Sequence, residues 1–114
     1  MPELTITPLT AWHQKNGAQM APFAGWLMPI QYGSILDEHK HTRSAAALFD
    51  ICHMGEFTIS GPVAAEALGR VLTHNLATLS PGKCRYGFML TPRGGVLDDL
   101  IVYFLAPERY RVVL

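Results

Sequence analysis

Two runs of strand-forming residues, 84–90 (CRYGFML) and 96–105 (VLDDLIVYFL), are separated only by Thr91-Pro92-Arg93-Gly94-Gly95. Five turn-forming residues between two apolar, aromatic and β-branched runs dictate an antiparallel hairpin. Pro107 then interrupts the chain, and 110–114 (YRVVL) begins a further strand that ends without a turn or polar cap. A strand left open in this way has half its backbone groups unpaired, so we expect the sequence to be a piece of a longer one.

The second run carries an anomaly, Asp98-Asp99. On a strand, Val96, Asp98, Leu100, Val102 and Phe104 share one face, and Leu97, Asp99, Ile101, Tyr103 and Leu105 share the other. Both faces are apolar, which predicts burial on both sides. A carboxylate there must be hydrogen-bonded, ion-paired or raised in pKa. Asp98, nearer the Gly-Gly turn, is expected to accept N–H bonds from the hairpin loop. Asp99, one residue deeper, is the candidate for chemistry.

Upstream, helices and strands mix without strict βαβ alternation. Thr7-Pro8 suits a helix start, and Asn16-Gly17 a left-handed stop. Residues 18–33 hold two prolines among aromatics, and read as an irregular segment with one short strand. Ser34 caps a second helix, with Asp37 and Glu38 in its first turn, running to about Ala47. Residues 48–51 and 56–60 read as short strands. Gly61-Pro62 precedes a third helix over 63–72, with Leu68, Val71 and Leu72 on its apolar face. The fold class is α+β, a mostly antiparallel sheet with flanking helices.

Composition narrows the functional classes. Nine Lys and Arg balance nine Asp and Glu, so nothing marks the chain for non-specific nucleic-acid binding. A charged fraction of 16% excludes a disordered polyelectrolyte, and 114 residues suit one domain. No apolar run reaches the roughly 18 residues of a membrane span. The N-terminus lacks the pattern of a secretory or transit peptide, so a cytoplasmic location is expected. Cys52 and Cys84 form no zinc or CxxC spacing and read as reduced, partly buried thiols.

Other polar candidates are weaker. His39 and His41, two apart on a helix, cannot chelate one metal, whereas Asp37 and His41 are spaced to pair. Cys52 and His53 are adjacent, so in an extended segment they point apart and cannot share a proton. Met54 and Tyr86 fall at strand edges, where core packing competes with ligand contact. Trp12, Phe23, Trp26 and Tyr32 either line a flat heterocycle or staple loops to the core.

Three spans resemble one family in order and spacing: TPLTAWHQKNGAQMAPFAGWLMPIQYGS (7–34), EHKHTRSAAALFDICHM (38–54) and GGVLDDLIVY (94–103). They are similar to the N-terminal portion of the T-proteins of the glycine cleavage system, the tetrahydrofolate-dependent aminomethyltransferases. The resemblance implies residues 1–114 to be the N-terminal portion of a folate-binding region. It implies transfer of a one-carbon unit from an aminomethylated lipoyl carrier, the H-protein, to tetrahydrofolate, with release of ammonia. Tetrahydrofolate is then a co-substrate, and no metal is expected. The family's essential carboxylate corresponds to Asp99. Its folate cavity involves a Met and a strand residue that correspond to Met54 and Tyr86. The family's Ser-His-Met motif here reads Cys52-His53-Met54, a change that weakens hydrogen bonding. Other folate contacts of the family fall beyond residue 114, so the isolated 114 residues are expected to bind folate weakly and to be inactive alone.

Three other readings compete. A folate domain of a demethylating enzyme acting on methylated glycines would follow a flavin domain, whereas here Met1 lies close to the TPL motif. A folate-binding relative concerned with iron–sulfur clusters would lack Asp98-Asp99. A small interaction module would carry these motifs by accident.

Overall fold

A computed structural model describes residues 3–114, which divide after His53 into two units.

The first unit contains β1 (Thr5–Ile6), α1 (Thr10–Lys15), β2 (Gln19–Phe23), β3 (Trp26–Gln31) and α2 (Ile35–Ser44). The strands form a three-stranded sheet in the order β1-β3-β2, with β1 parallel and β2 antiparallel to β3. The segment expected to be irregular is therefore a hairpin. Its turn is Ala24-Gly25, both with positive φ (49° and 83°), the geometry that matches strand twist in a two-residue loop. The prolines fit because neither interrupts an obligatory ladder. Pro22 lies on edge strand β2, and Pro29 lies beyond the reach of β1, opposite Met20 where the register shifts.

Helix α1 starts at Thr10 rather than directly after Thr7 and ends at Lys15, with Asn16 as its C-cap and Gly17 at φ 79°. In α2, the Ser34 hydroxyl accepts the Asp37 N–H as expected. That helix stops at Ser44, three residues short of expectation, because Ala45 is extended. Residues 48–51 form no strand.

The second unit contains β4 (Glu56–Ser60), α3 (Ala64–Val71), a single 3₁₀ turn at Leu76–Thr78, β5 (Cys84–Leu90), β6 (Val96–Ala106) and β7 (Arg109–Val113). The strands form an antiparallel sheet in the order β4-β7-β6-β5. The predicted hairpin is β5–β6, with a register shift between Met89 and Leu90. Leu100 and Val102 are sealed beneath α3 with Leu68, Leu72, Leu76, Leu79, Tyr110 and Val112. Burial of a side chain such as Leu100 or Val102 contributes about 1.5–3 kcal/mol. Val71, expected on the apolar face of α3, is exposed.

The loop that leaves α3 completes the β5 edge. Leu72 bridges Met89, Thr73 N–H donates to Phe88 O, and Phe88 N–H donates to Thr73 Oγ1. His74 is buried, with Nε2 3.0 Å from Arg85 O. Gly87 makes this approach possible, since a Cβ there would lie 2.7 Å from His74 Cε1.

Candidate functional site

Asp99 and Tyr86 come together on the sheet face opposite α3. The β5–β6 register sets Phe88 across from Asp99, Tyr86 across from Ile101, and Cys84 across from Tyr103. The Tyr86 hydroxyl donates to Asp99 Oδ2 at 2.9 Å, a diagonal cross-strand bond. The Tyr86 ring meets Phe88 edge-on, with centroids 5.4 Å apart. Accepting this bond favours the neutral phenol, so Asp99 raises the Tyr86 pKa, with smaller contributions from desolvation and from its charge.

The sequence reasoning about burial fails here. Both Asp98 and Asp99 are exposed, because β6 is covered on one face only and its first residues run beyond that cover. Asp98 does not serve the hairpin loop either. Its Oδ1 accepts the Asp99 N–H at 2.9 Å, while Thr91 closes the turn through its hydroxyl and both backbone groups. The result is an open platform: a carboxylate held by a phenol, flanked by Phe88, Ile101 and Tyr103, the last three half-buried. Such a surface suits a flat heterocycle whose ring nitrogens donate to a carboxylate.

Met54 stands at the head of β4, half-buried, with Gly55 bonded to Leu114 in both directions. In the sheet, β7 lies between its strand and β6. The structure thus joins two of the three expected site residues directly.

Two grooves lie on the α3 side of the sheet, away from Asp99. One, of about 520 Å³, is lined by residues including His74, Phe104 and Tyr110. The other, of about 300 Å³, is wholly apolar, with Phe57, Val71 and Met89 among its walls. Among the described residues, no group of three His, Cys, Asp or Glu is placed to hold a metal. His39 and His41 are exposed on α2, and Asp37 sits 3.9 Å from Lys40 rather than pairing with His41. Both cysteines are free and exposed, not partly buried.

A second polar cluster, in the first unit, was missed by sequence reasoning. The Asp50 carboxylate is fully enclosed, and its Oδ2 receives His13 Nε2 at 2.8 Å and the Thr7 hydroxyl at 3.0 Å. Its Oδ1 receives the Cys52 N–H at 2.9 Å. The Tyr32 hydroxyl bonds His13 Nδ1. Burial alone would raise the Asp50 pKa, but the bonds from Cys52, His13 and Thr7 outweigh it and hold the carboxyl well below the aspartate range. Asp50 also raises the Cys52 thiol pKa, first by accepting from the thiol itself, with smaller contributions from desolvation and from its charge, which makes the thiol a poor nucleophile. An acid inside the apolar run Leu48-Phe49-Asp50-Ile51 was the available signal.

The family model described as the GCVT N-terminal domain matches residues 9–114. This chain belongs to the GCVT N-terminal domain family. Within that family it is 49% identical over 114 residues to an aminomethyltransferase of Desulforamulus reducens, covering all of this chain and 31% of the relative. It is 50% identical over 111 residues to an aminomethyltransferase of Streptomyces coelicolor, covering 97% of this chain and 30% of that one. The crystal structure of glycine cleavage system aminomethyltransferase T from Bartonella henselae superposes with a TM-score of 0.87 at 45% identity, over 97% of this chain and 31% of that chain. The GCVT N-terminal domain described here therefore spans about a third of the length of these relatives. Its mostly antiparallel sheets with few helices match an N-terminal part of the aminomethyltransferase fold. No described helix is long and apolar enough to cross a membrane.

Proposed function

We propose that this chain supplies the carboxylate face of an aminomethyltransferase of the glycine cleavage system. In the proposed reaction an aminomethyl group leaves the sulfur of a lipoylated carrier protein and its carbon passes to tetrahydrofolate. The carbon–sulfur bond and the carbon–nitrogen bond to the departing ammonia break, and the two hydrogens displaced from the folate nitrogens pass to the carrier sulfur and to the ammonia. Two carbon–nitrogen bonds to the folate form, giving 5,10-methylenetetrahydrofolate.

The observation that carries this reading is the Tyr86–Asp99 pair on an open aromatic face, in a chain of this family. Asp99 is the catalytic residue proposed. As an acceptor it orients the attacking amine and stabilises the cationic carbon as it forms, a role worth roughly 10²–10³ in rate when a comparable oriented group is removed. Tyr86 holds the carboxylate in place and offers a ring edge to the folate. Met54 is proposed to complete the apolar wall from the β4 side. No metal takes part in this reading. Two free, exposed thiols suit a reducing cytoplasm, where we place the protein.

The test is a chimera in which these 114 residues replace the matched third of the Desulforamulus reducens aminomethyltransferase. Methylene transfer from an aminomethylated lipoyl carrier should fall at least about 100-fold in Asp99→Asn, with tetrahydrofolate binding weakened far less. Normal turnover in Asp99→Asn together with loss in Asp98→Asn would assign the chemistry to the other carboxylate. Calorimetry should show the 114-residue chain alone binding tetrahydrofolate weakly or not at all.

A further inference from the structure

The two oxygens of Asp99 are not equivalent. Oδ2 accepts the Tyr86 hydroxyl at 2.9 Å, whereas among the described residues Oδ1 accepts no hydrogen bond. No Lys, Arg or His of the described residues forms an ion pair with Asp99 either. An ionised carboxylate is acceptor-only, and with both oxygens free it takes two N–H donors side by side. Here one of the two oxygens is already taken.

The arrangement around Oδ2 is built rather than incidental. Tyr86 and Phe88 project from the same face of β5, and their rings meet edge-on, with centroids 5.4 Å apart and planes at 75°. Phe88 stands directly across from Asp99, so it braces the Tyr86 ring and leaves the hydroxyl on the diagonal to Oδ2. The backbone of the acid is held as well, because Asp98 Oδ1 accepts the Asp99 N–H at 2.9 Å. Tyr86 is 58% exposed, which puts its ring on the same open face that a ligand of Asp99 approaches.

The reaction proposed above offers this carboxylate a substrate with two donors. Tetrahydrofolate carries N5–H and N10–H, and a single carbon bridges these nitrogens in the product. They therefore lie close enough for the two oxygens of one carboxylate to hold both. Such a grip stabilises bound tetrahydrofolate, and it has to be broken as the second carbon–nitrogen bond forms. Binding energy of that kind favours the ground state and does not raise kcat. We propose that Tyr86 is a positioning residue that occupies Oδ2, so that Asp99 holds one folate nitrogen through Oδ1 and leaves the other free to attack. The inference rests on the aminomethyltransferase reading for its substrate. It deepens that reading by giving the phenol a role apart from the wall that its ring forms.

The test uses the Desulforamulus reducens chimera with Tyr86→Phe, which keeps the ring and removes the hydroxyl. Freed of the phenol, Asp99 gains a second donor from tetrahydrofolate. Calorimetry should show tetrahydrofolate bound roughly 2–10-fold more tightly, the worth of one added hydrogen bond. Steady-state kinetics should show kcat and KM falling together by a similar factor, with kcat/KM little changed. The probe 5-methyltetrahydrofolate lacks the N5–H donor and should bind parent and variant alike. In an Asp99→Asn background the side chain offers a single acceptor oxygen, so there Tyr86→Phe should leave tetrahydrofolate binding unchanged. Weaker binding or a raised KM in Tyr86→Phe would overturn the proposal, because the hydroxyl then meets the substrate or only props the wall. Unchanged binding and kcat, or equal tightening of both folates, would overturn it too. A parent chimera that binds tetrahydrofolate without methylene transfer removes the aminomethyltransferase reading alone, since the binding comparisons still decide the role of Tyr86.

Discussion

His13 Nε2 lies 2.8 Å from Asp50 Oδ2, and the two side chains are 5% and 0% exposed. With Nε2–H donating to the carboxylate, Nδ1 of a neutral imidazole is an acceptor for the Tyr32 hydroxyl. Thr7, His13, Tyr32 and Asp50 thus tie four separate stretches of the first unit together. Among the described residues of the first unit Met28 is the one buried hydrophobic side chain, so this polar tie carries an unusual share of the order.

Asp50→Ala should therefore destabilise the first unit by about 3 kcal/mol, because it leaves His13 and Thr7 buried without their acceptor. Both tryptophans, Trp12 and Trp26, lie in that unit. Their fluorescence during urea unfolding reads this change apart from the second unit. His13→Ala should cost a similar amount, and the double variant less than the sum, as expected for partners in one network.

The same carboxylate predicts acid sensitivity. Its pKa is lowered in the folded chain, so the folded state binds its proton less readily than the unfolded state. The stabilisation is complete above the ordinary aspartate pKa of about 3.9, and it is lost progressively as pH falls from there through the folded value. Tryptophan-monitored stability should decline below roughly pH 4, and Asp50→Asn should flatten that decline while starting from a lower plateau.

Gly87→Ala should destabilise the second unit by about 1–3 kcal/mol, because the new methyl meets His74 and Thr73 at under 3 Å. Circular dichroism on heating measures it. His74→Ala removes two of the three clashing atoms, so the Gly87→Ala penalty should shrink in that background.

Tyr86 and Asp99 give a spectroscopic prediction independent of activity. Asp99 holds the Tyr86 pKa above its ordinary value of 10.0. Ultraviolet titration should show one phenol ionising at lower pH in Asp99→Asn than in the parent chain. An unchanged titration would mean that the pair is not formed in solution.

The β5–β6 hairpin, the Ser34 cap, the Gly61-Pro62 break and the third helix were legible because each rests on a local rule of turn or cap chemistry. The β2–β3 hairpin was not, because Pro22 and Pro29 argue against strands until the edge position and the register shift are known. At the site, Asp99 was selected for the wrong physical reason. Burial was expected of it, yet the buried acid of this protein is Asp50, which stands in an apolar run just as Asp99 does.

That contrast separates what the sequence determined from what the tertiary structure decided. Residue order alone placed an acid in each apolar run, set the strand and helix periods, and marked the family through three ordered motifs. It could not say which acid would be enclosed, because enclosure depends on residues distant in the chain. Thr7 and His13 converge on Asp50 across 43 and 37 positions, whereas α3 covers only the sheet face that Asp99 does not share. Alternation along a strand assigns a side chain to a face, and only packing decides which face meets water.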